Sequence, residues 1–385
     1  MGWQKCKYYF CCCCYPHSNH KYKMRTQLFG KMAFSAPVQL YEIENKNGMV
    51  LSVINYGARI VGLKVPSLTG KVVDVVCGFK NLEDYQKDEF YFGAIVGRVG
   101  GRIFPTRVMI GNREYNLTVN NGDCHLHGGM NGFDKALWSV EVIEEKDGVQ
   151  GLLMRHVSPA GTEGYPSEML TEVEYRLTND NELVIKIKAT CDDITLASIP
   201  NHAYFNLGGP EEATVYDHIV SIAADSYLPV NENTVPTGEI KSVKDTIYDF
   251  RKPRRLGDAI PMTPKEGFGY DDYWCFAQAP SQAPKHAANV YCPKTGINME
   301  ILTTQPGILM YTGNYLHKAV IGKYDEVLDK HGAVCLETQG YPNAINNPTF
   351  PSVEVRPGMP YDHTTIWRFS KVKHKHDSIS NQSKA

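Results

Sequence analysis

The sequence predicts an all-β protein, a large antiparallel β-sandwich, and three observations carry that prediction. Apolar and polar residues alternate over short stretches, clusters of Gly, Pro, Asn and Asp separate those stretches, and 33 Gly with 22 Pro in 385 residues supply the turns. The clearest case is TEVEYRLTNDNELVIKIKAT, residues 171–190, where Val173, Tyr175 and Leu177 point one way and Glu172, Glu174 and Arg176 the other. TNDN turns the chain, and Leu183, Ile185 and Ile187 resume the alternation. That is the pattern of a β-hairpin with one buried face.

Upstream of the strands the composition differs. Residues 1–37 hold five of the eleven cysteines, Cys6 and Cys11 to Cys14, together with Lys5, Lys7, Lys21, Lys23, Arg25 and Lys31, and no acid precedes Glu42. This reads as a disordered basic extension. Its apolar run YYFCCCCYP is too short to span a membrane, and clustered Cys beside Lys is a candidate for N-terminal acylation. From Val38 to Lys371 the short strands follow one another: MVLSVIN, REYNLTV, GLLMRHV, the hairpin, then NMEILTT. Only NLEDYQKD, residues 81–88, reads as a short helix. No linker-like stretch interrupts residues 38–371, so one domain is expected there, and residues 372–385 form a polar tail.

Charge and cysteine usage narrow the function classes. With 40 basic against 42 acidic residues, the formal charge of −2 provides no field for nucleic acid or an anionic membrane, so the expected partner is small and neutral. The six cysteines beyond the extension are scattered singly with no CxxC spacing, which fits reduced thiols in a cytoplasmic setting.

Four segments combine hydroxyl-binding side chains with Gly or aromatic residues, as recognition of a neutral polyol requires: GRVGGRI (97–103), HLHGG (125–129), NHAYFNLGG (201–209) and AVCLETQGYPNAINNPTFP (333–351). His202 brings the one side chain that titrates near neutrality. Glu337, inside the apolar run AVCLET, is a carboxylate that a solvated surface does not explain. Two other chemistries are open at this level. His125 and His127, one residue apart, would share a strand face and could begin a metal site with His202 or Glu337. Glu337 and Asp271 could be the paired carboxylates of a glycosidase.

NYGARI, YFGAIVGR, LHGG, GFDKALW, EGYP, NHAYFNL, YLPV, PTGEI, TTQPG, YTGN, CLETQ and RPGMPYDHTT occur in one order along the chain. In these motifs, from about Val38 to Ser370, the sequence resembles the aldose 1-epimerase (galactose mutarotase) family. The resemblance implies the family's supersandwich and the interconversion of α and β anomers of a free aldohexose such as galactose or glucose. It implies His202 as the acid toward the ring oxygen and Glu337 as the base at the anomeric hydroxyl. Arg102, His127, Asp271 and Gln305 match its sugar-binding residues, and neither cofactor nor metal is needed. The sequence also departs from the family pattern. Gly101 replaces the Asn of GRVANRI, Asp272 stands where His is common, and Gly340 and Asn343 replace residues more often Asn or His and Asp. These departures admit an altered sugar preference or a non-catalytic sugar-binding paralogue.

Overall fold

The structure, a computed structural model, describes residues 24–144, 150–277 and 283–373. Strands dominate it. The hairpin predicted from residues 171–190 forms as Met169–Leu177 and Glu182–Cys191, with Val173 opposite Ile187 and Leu177 opposite Leu183. It supplies the third and fourth strands of a nine-stranded sheet, flanked by Gln150–Ser158 on one side and by the central strand Tyr361–Lys371 on the other. The inward set Val173, Tyr175, Leu183 and Ile185 is buried, while Glu172 on the opposite face pairs with Arg155 at 2.8 Å. The period-two pattern thus sorts apolar from charged side chains as the sequence predicts.

A six-stranded sheet faces this layer, in the order Tyr204–Phe205, Val334–Gln339, Gly307–Tyr311, Asp271–Cys275, Ser226–Leu228 and Lys241–Ser242. Val334, Leu336, Ile308, Met310 and Trp274 on one of its faces join the inward residues of the large sheet in a single core. Phe205 meets Trp367 edge-to-face at 4.8 Å across the layers. Every residue of Val334–Gln339 is buried, so both faces of that strand are covered. This is why its sequence reads as a run rather than an alternation.

Residues 25–74 form a meander of five strands, Arg25–Lys31, Pro37–Glu44, Val50–Ile54, Arg59–Pro66 and Val72–Asp74. The first of these corrects the expectation that residues 1–37 are disordered throughout. Arg25–Lys31 pairs antiparallel with Pro37–Glu44, and Phe29 packs 6.1 Å from Tyr85 in a second hydrophobic cluster. The strand escaped prediction because it lies at a sheet edge, is mostly exposed, and shifts register between Leu28 and Gly30. The cysteine tetrad Cys11–Cys14 and the tail beyond residue 373 lie outside the described residues.

The expected helix is present as Leu82–Gln86, with Asn81 as N-cap accepting the Asp84 N–H at 3.0 Å. Two further α-helical segments, Leu256–Ala259 and Pro264–Gly267, span four residues each, too few for a periodic signal. Among the described residues no helix is long and apolar enough to cross a membrane.

Candidate functional site

The face of the six-stranded sheet turned away from the core is the floor of a cleft of about 400 Å³. Alternation along Val334–Gln339 places Val334 and Leu336 in the core and Cys335 and Glu337 on the cleft side. Antiparallel register then sets the neighbours: Leu309 lies opposite Glu337, and Tyr311 lies opposite both Cys335 and Asp271. Hence Glu337 and Asp271, 66 residues apart in the chain, share one surface.

His202 reaches this floor from the segment leading into Tyr204–Phe205. Its N–H donates to the Ala94 carbonyl at 2.8 Å and its carbonyl accepts the Gly93 N–H at 3.0 Å. The preceding Asn201 donates to the Gly93 carbonyl at 3.0 Å, so the Asn beside the histidine fastens its backbone. The imidazole Nε2 lies 3.4 Å from Glu337 Oε1, and Nδ1 is 3.7 Å from Cys335 Sγ. His202 is 5% exposed and Glu337 1%. Burial lowers the histidine to about 4. Burial raises the Glu337 carboxyl well above its usual range, with the Asp271 charge adding to the rise and Arg102 opposing it. Both shifts have burial as their main cause, which disfavours the charged form of each group.

The walls come from the Gly-rich segments. Arg102, in the short strand Arg102–Ile103 that pairs with His125–Leu126, extends Nη1 to 3.3 Å from Asp271 Oδ2 and Nε to 3.2 Å from Asn121 Oδ1. His127 has φ +51°, and its Nδ1 accepts the Gly101 N–H at 3.2 Å. That bond selects the neutral tautomer with hydrogen on Nε2, a donor suited to a hydroxyl oxygen. Burial, with His202 next to it, holds His127 well below the usual imidazole value.

Sequence reasoning did not single out Tyr91. Its ring lines the cleft, 4.7 Å from His127 and 6.0 Å from His202. The turn that carries it, with φ +61° at Tyr91, is clamped from below. Fully buried Arg59 binds Asp88 at 2.7 Å and the Phe92 carbonyl at 2.8 Å, while Asp88 accepts the Phe90 and Phe92 N–H groups, each at 2.8 Å. Its presence in the motif YFGAIVGR was the available signal.

A profile of the family described as Aldose 1-epimerase matches residues 39–368. The chain belongs to the aldose 1-epimerase family. Galactose mutarotase of Rattus norvegicus is 43% identical over 320 residues, 83% of this chain and 91% of that protein. Among solved structures, the GalM/aldose epimerase homologue from C. elegans aligns with a TM-score of 0.78 and 31% identity, covering 87% of this chain and 99% of that one. Galactose 1-epimerase from Lactobacillus acidophilus aligns with a TM-score of 0.80 and 26% identity over 92% and 100% of the two chains. These matches bear out the mutarotase-like β fold.

The predicted family residues divide on geometry. His202, Glu337, Arg102, His127 and Asp271 all line the one cleft. Gln305 does not. It is buried at the turn after Ile297–Thr303, where its amide donates to the Tyr361 hydroxyl and its N–H to Thr303 Oγ1 at 3.1 Å. The gap it lines is shared with Thr338 and Trp367. Asp272 alternates away from the cleft floor. Burial, with Asp271 adjacent, raises it to about 7, and it accepts the Asp271 N–H at 3.1 Å. Gly340 donates its N–H to Ser198 Oγ at 3.1 Å, and Asn343 braces Phe104 through bonds of 3.1 and 3.0 Å, so both act on the scaffold. Only Gly101 among the departures faces the cleft.

The alternative chemistries fare less well. His125 and His127 do not share a face, because the strand ends at Leu126 and the left-handed His127 turns aside. His127, His202 and Glu337 do offer ligand atoms within 4.8 Å of one another. The Gly101 N–H bond, however, leaves the His127 Nε2 as a donor rather than a ligand. For a glycosidase pair, Asp271 is held by Arg102, while His202 takes the place facing Glu337.

Proposed function

We propose that this aldose 1-epimerase acts on free aldohexoses such as galactose or glucose, with Glu337 as base and His202 as acid. The observation that carries this reading is the 3.4 Å approach of His202 Nε2 to Glu337 Oε1 on a cleft floor. The anomeric hydroxyl and the ring oxygen are bonded to one carbon, so a base for the first and an acid for the second must converge within a few ångströms.

In the reactive protonation state Glu337 is a carboxylate and His202 is an imidazolium that carries hydrogen on Nε2. Glu337 takes the proton of the anomeric hydroxyl, that oxygen forms the carbonyl, the bond from C1 to the ring oxygen breaks, and His202 protonates the departing oxygen. Rotation about C1–C2 presents the other face of the aldehyde. On reclosure Glu337 gives its proton to the new anomeric oxygen and His202 takes one from the attacking hydroxyl, so both groups return to their starting forms and neither metal nor nucleotide enters the scheme. Such an acid–base pair supplies about 10² to 10⁴ in rate, and positioning supplies more. Arg102 and Asp271 present a charged donor and acceptor to ring hydroxyls, and His127 adds a neutral donor. Gln305 supports the site by tying its turn to Tyr361. The six described cysteines are free thiols, which supports a reducing cytoplasmic setting.

Polarimetry on freshly dissolved α-D-galactose and α-D-glucose tests the reading. The protein should speed the approach to anomeric equilibrium in proportion to its concentration. Binding of either sugar without acceleration over buffer would leave a sugar-binding paralogue instead.

A further inference from the structure

The cleft carries a charge pattern that ring opening itself does not require. Besides Glu337, four carboxylates line it, Glu89, Asp123, Glu232 and Asp271, against one guanidinium, that of Arg102. Arg102 is already engaged with Asp271 at 3.3 Å. Glu89, Asp123 and Glu232 are exposed, come from three separate loops, and form no ion pair among the described residues. Lys135, which stands over the Tyr91 ring, is not a lining residue and pairs with Asp134 at 3.4 Å. At the bottom, Glu337 is 1% exposed and its Oε2 has no hydrogen-bond partner among the described residues. The cleft is therefore completed by its ligand, and a concave wall of one sign concentrates its field where that ligand enters.

We propose that the cleft selects aldoses by charge, accepting neutral hexoses and 2-amino-2-deoxyhexoses in their ammonium form and rejecting aldoses that carry a carboxylate or phosphate. This rests on the epimerase reading and adds a substrate class to it. An anionic substituent must shed water to meet unpaired carboxylates and a guanidinium that is already bound. An ammonium group brings three donors to the same wall. Replacing the hydroxyl at C2 by an amine alters neither oxygen on C1, so Glu337 and His202 keep both of their reaction partners.

The test compares α-D-galactose, D-galacturonate and D-galactosamine, each supplied as one anomer to the full-length protein at low ionic strength, with kcat/KM read by polarimetry. Galacturonate should fall about ten-fold or more below galactose, and galactosamine should equal or exceed galactose. The gap should narrow in roughly 0.5 M salt, because the rim acids are exposed to screening. Asp123→Asn with Glu232→Gln should raise the ratio of galacturonate to galactose turnover several-fold. Calorimetric binding of the three sugars to the Glu337→Gln variant reads the same order without chemistry. Galacturonate turned over like galactose, or bound as tightly as galactosamine, overturns the proposal. Absence of galactose turnover with the binding order kept overturns only the epimerase reading.

Discussion

His125 and His202 are alike in burial, 0% and 5% exposed, and burial pulls both imidazoles below their ordinary value. They differ in what their nitrogens face. His125 spends both on the protein, Nδ1 at 2.6 Å from the Thr118 carbonyl and Nε2 at 2.7 Å from the Tyr165 hydroxyl. His202 turns Nε2 toward a carboxyl group whose other oxygen is unpartnered, on the floor of a cleft. Burial and a shifted pKa therefore do not by themselves mark a functional histidine. An incomplete set of polar partners, open toward a cavity, does.

The largest expected effect breaks the His202 side of this contrast. His202→Asn and Glu337→Gln keep polar near-isosteres in place while removing proton transfer, so each should lower kcat by about 10² or more with the fold retained. The double variant should be little worse than the worse single, because the two residues act as one unit. The wild-type pH profile follows from the two opposite shifts. Because burial lowers His202 to about 4, activity should persist below the usual imidazole range and fall only toward that value. Because burial raises Glu337, the alkaline limb should lie above the usual carboxylate range. If His202→Asn lowers the melting temperature but leaves kcat per folded molecule unchanged, His202 is a second His125 and the assignment fails.

His125→Phe is the complementary test and should act on stability. The ring volume is kept, but the Thr118 carbonyl and Tyr165 hydroxyl lose their partner, at a cost of about 1–3 kcal/mol. The pH limbs of kcat/KM should not move. The linkage sign is also defined: a histidine whose folded pKa lies below its unfolded 6.5 contributes stability above that pH and loses it as the pH falls. Removing His125 should therefore make acid unfolding less steep. Movement of the catalytic limbs, measured alongside unfolding curves, would place His125 in the proton chemistry and erase the contrast.

Both histidines are visible in the sequence, but their difference is not. The hairpin around TNDN and the helix after Asn81 were legible because their signals are local, a period of two in one case and a cap with its first turn in the other. Glu337 was legible because a carboxylate in a strand buried on both faces demands a reason. Tyr91 was not, since its place depends on a left-handed turn held by Arg59 and Asp88, 29 residues apart in sequence. The edge strand Arg25–Lys31 was hidden by its polar, exposed pattern. Gln305 shows a further limit. A motif match carries the residue's identity, yet the turn it occupies directs the amide to Tyr361 rather than into the cleft.

The smallest effect expected sharpens the site side of the comparison at Gly101, where the family usually supplies an amide. Gly101 has φ +79°, and an added Cβ would lie 3.1 Å from Pro342 Cβ, so a side chain there needs a small shift of the neighbour. Asn tolerates the left-handed region better than other non-glycine residues. A regained hydrogen bond to a sugar hydroxyl is worth about 0.5–1.5 kcal/mol, and residual strain of about 1 kcal/mol offsets much of it. Gly101→Asn should therefore lower KM for galactose or glucose by no more than about five-fold, with the pH limbs unmoved. Gly101→Ala introduces the same backbone strain without the amide, so its KM should equal or exceed that of the wild type. The difference between the two variants isolates the amide from the strain. Equal KM values for Asn and Ala would mean that the ring hydroxyl once met at this position is now held elsewhere, and that the cleft has been rebuilt around a different sugar.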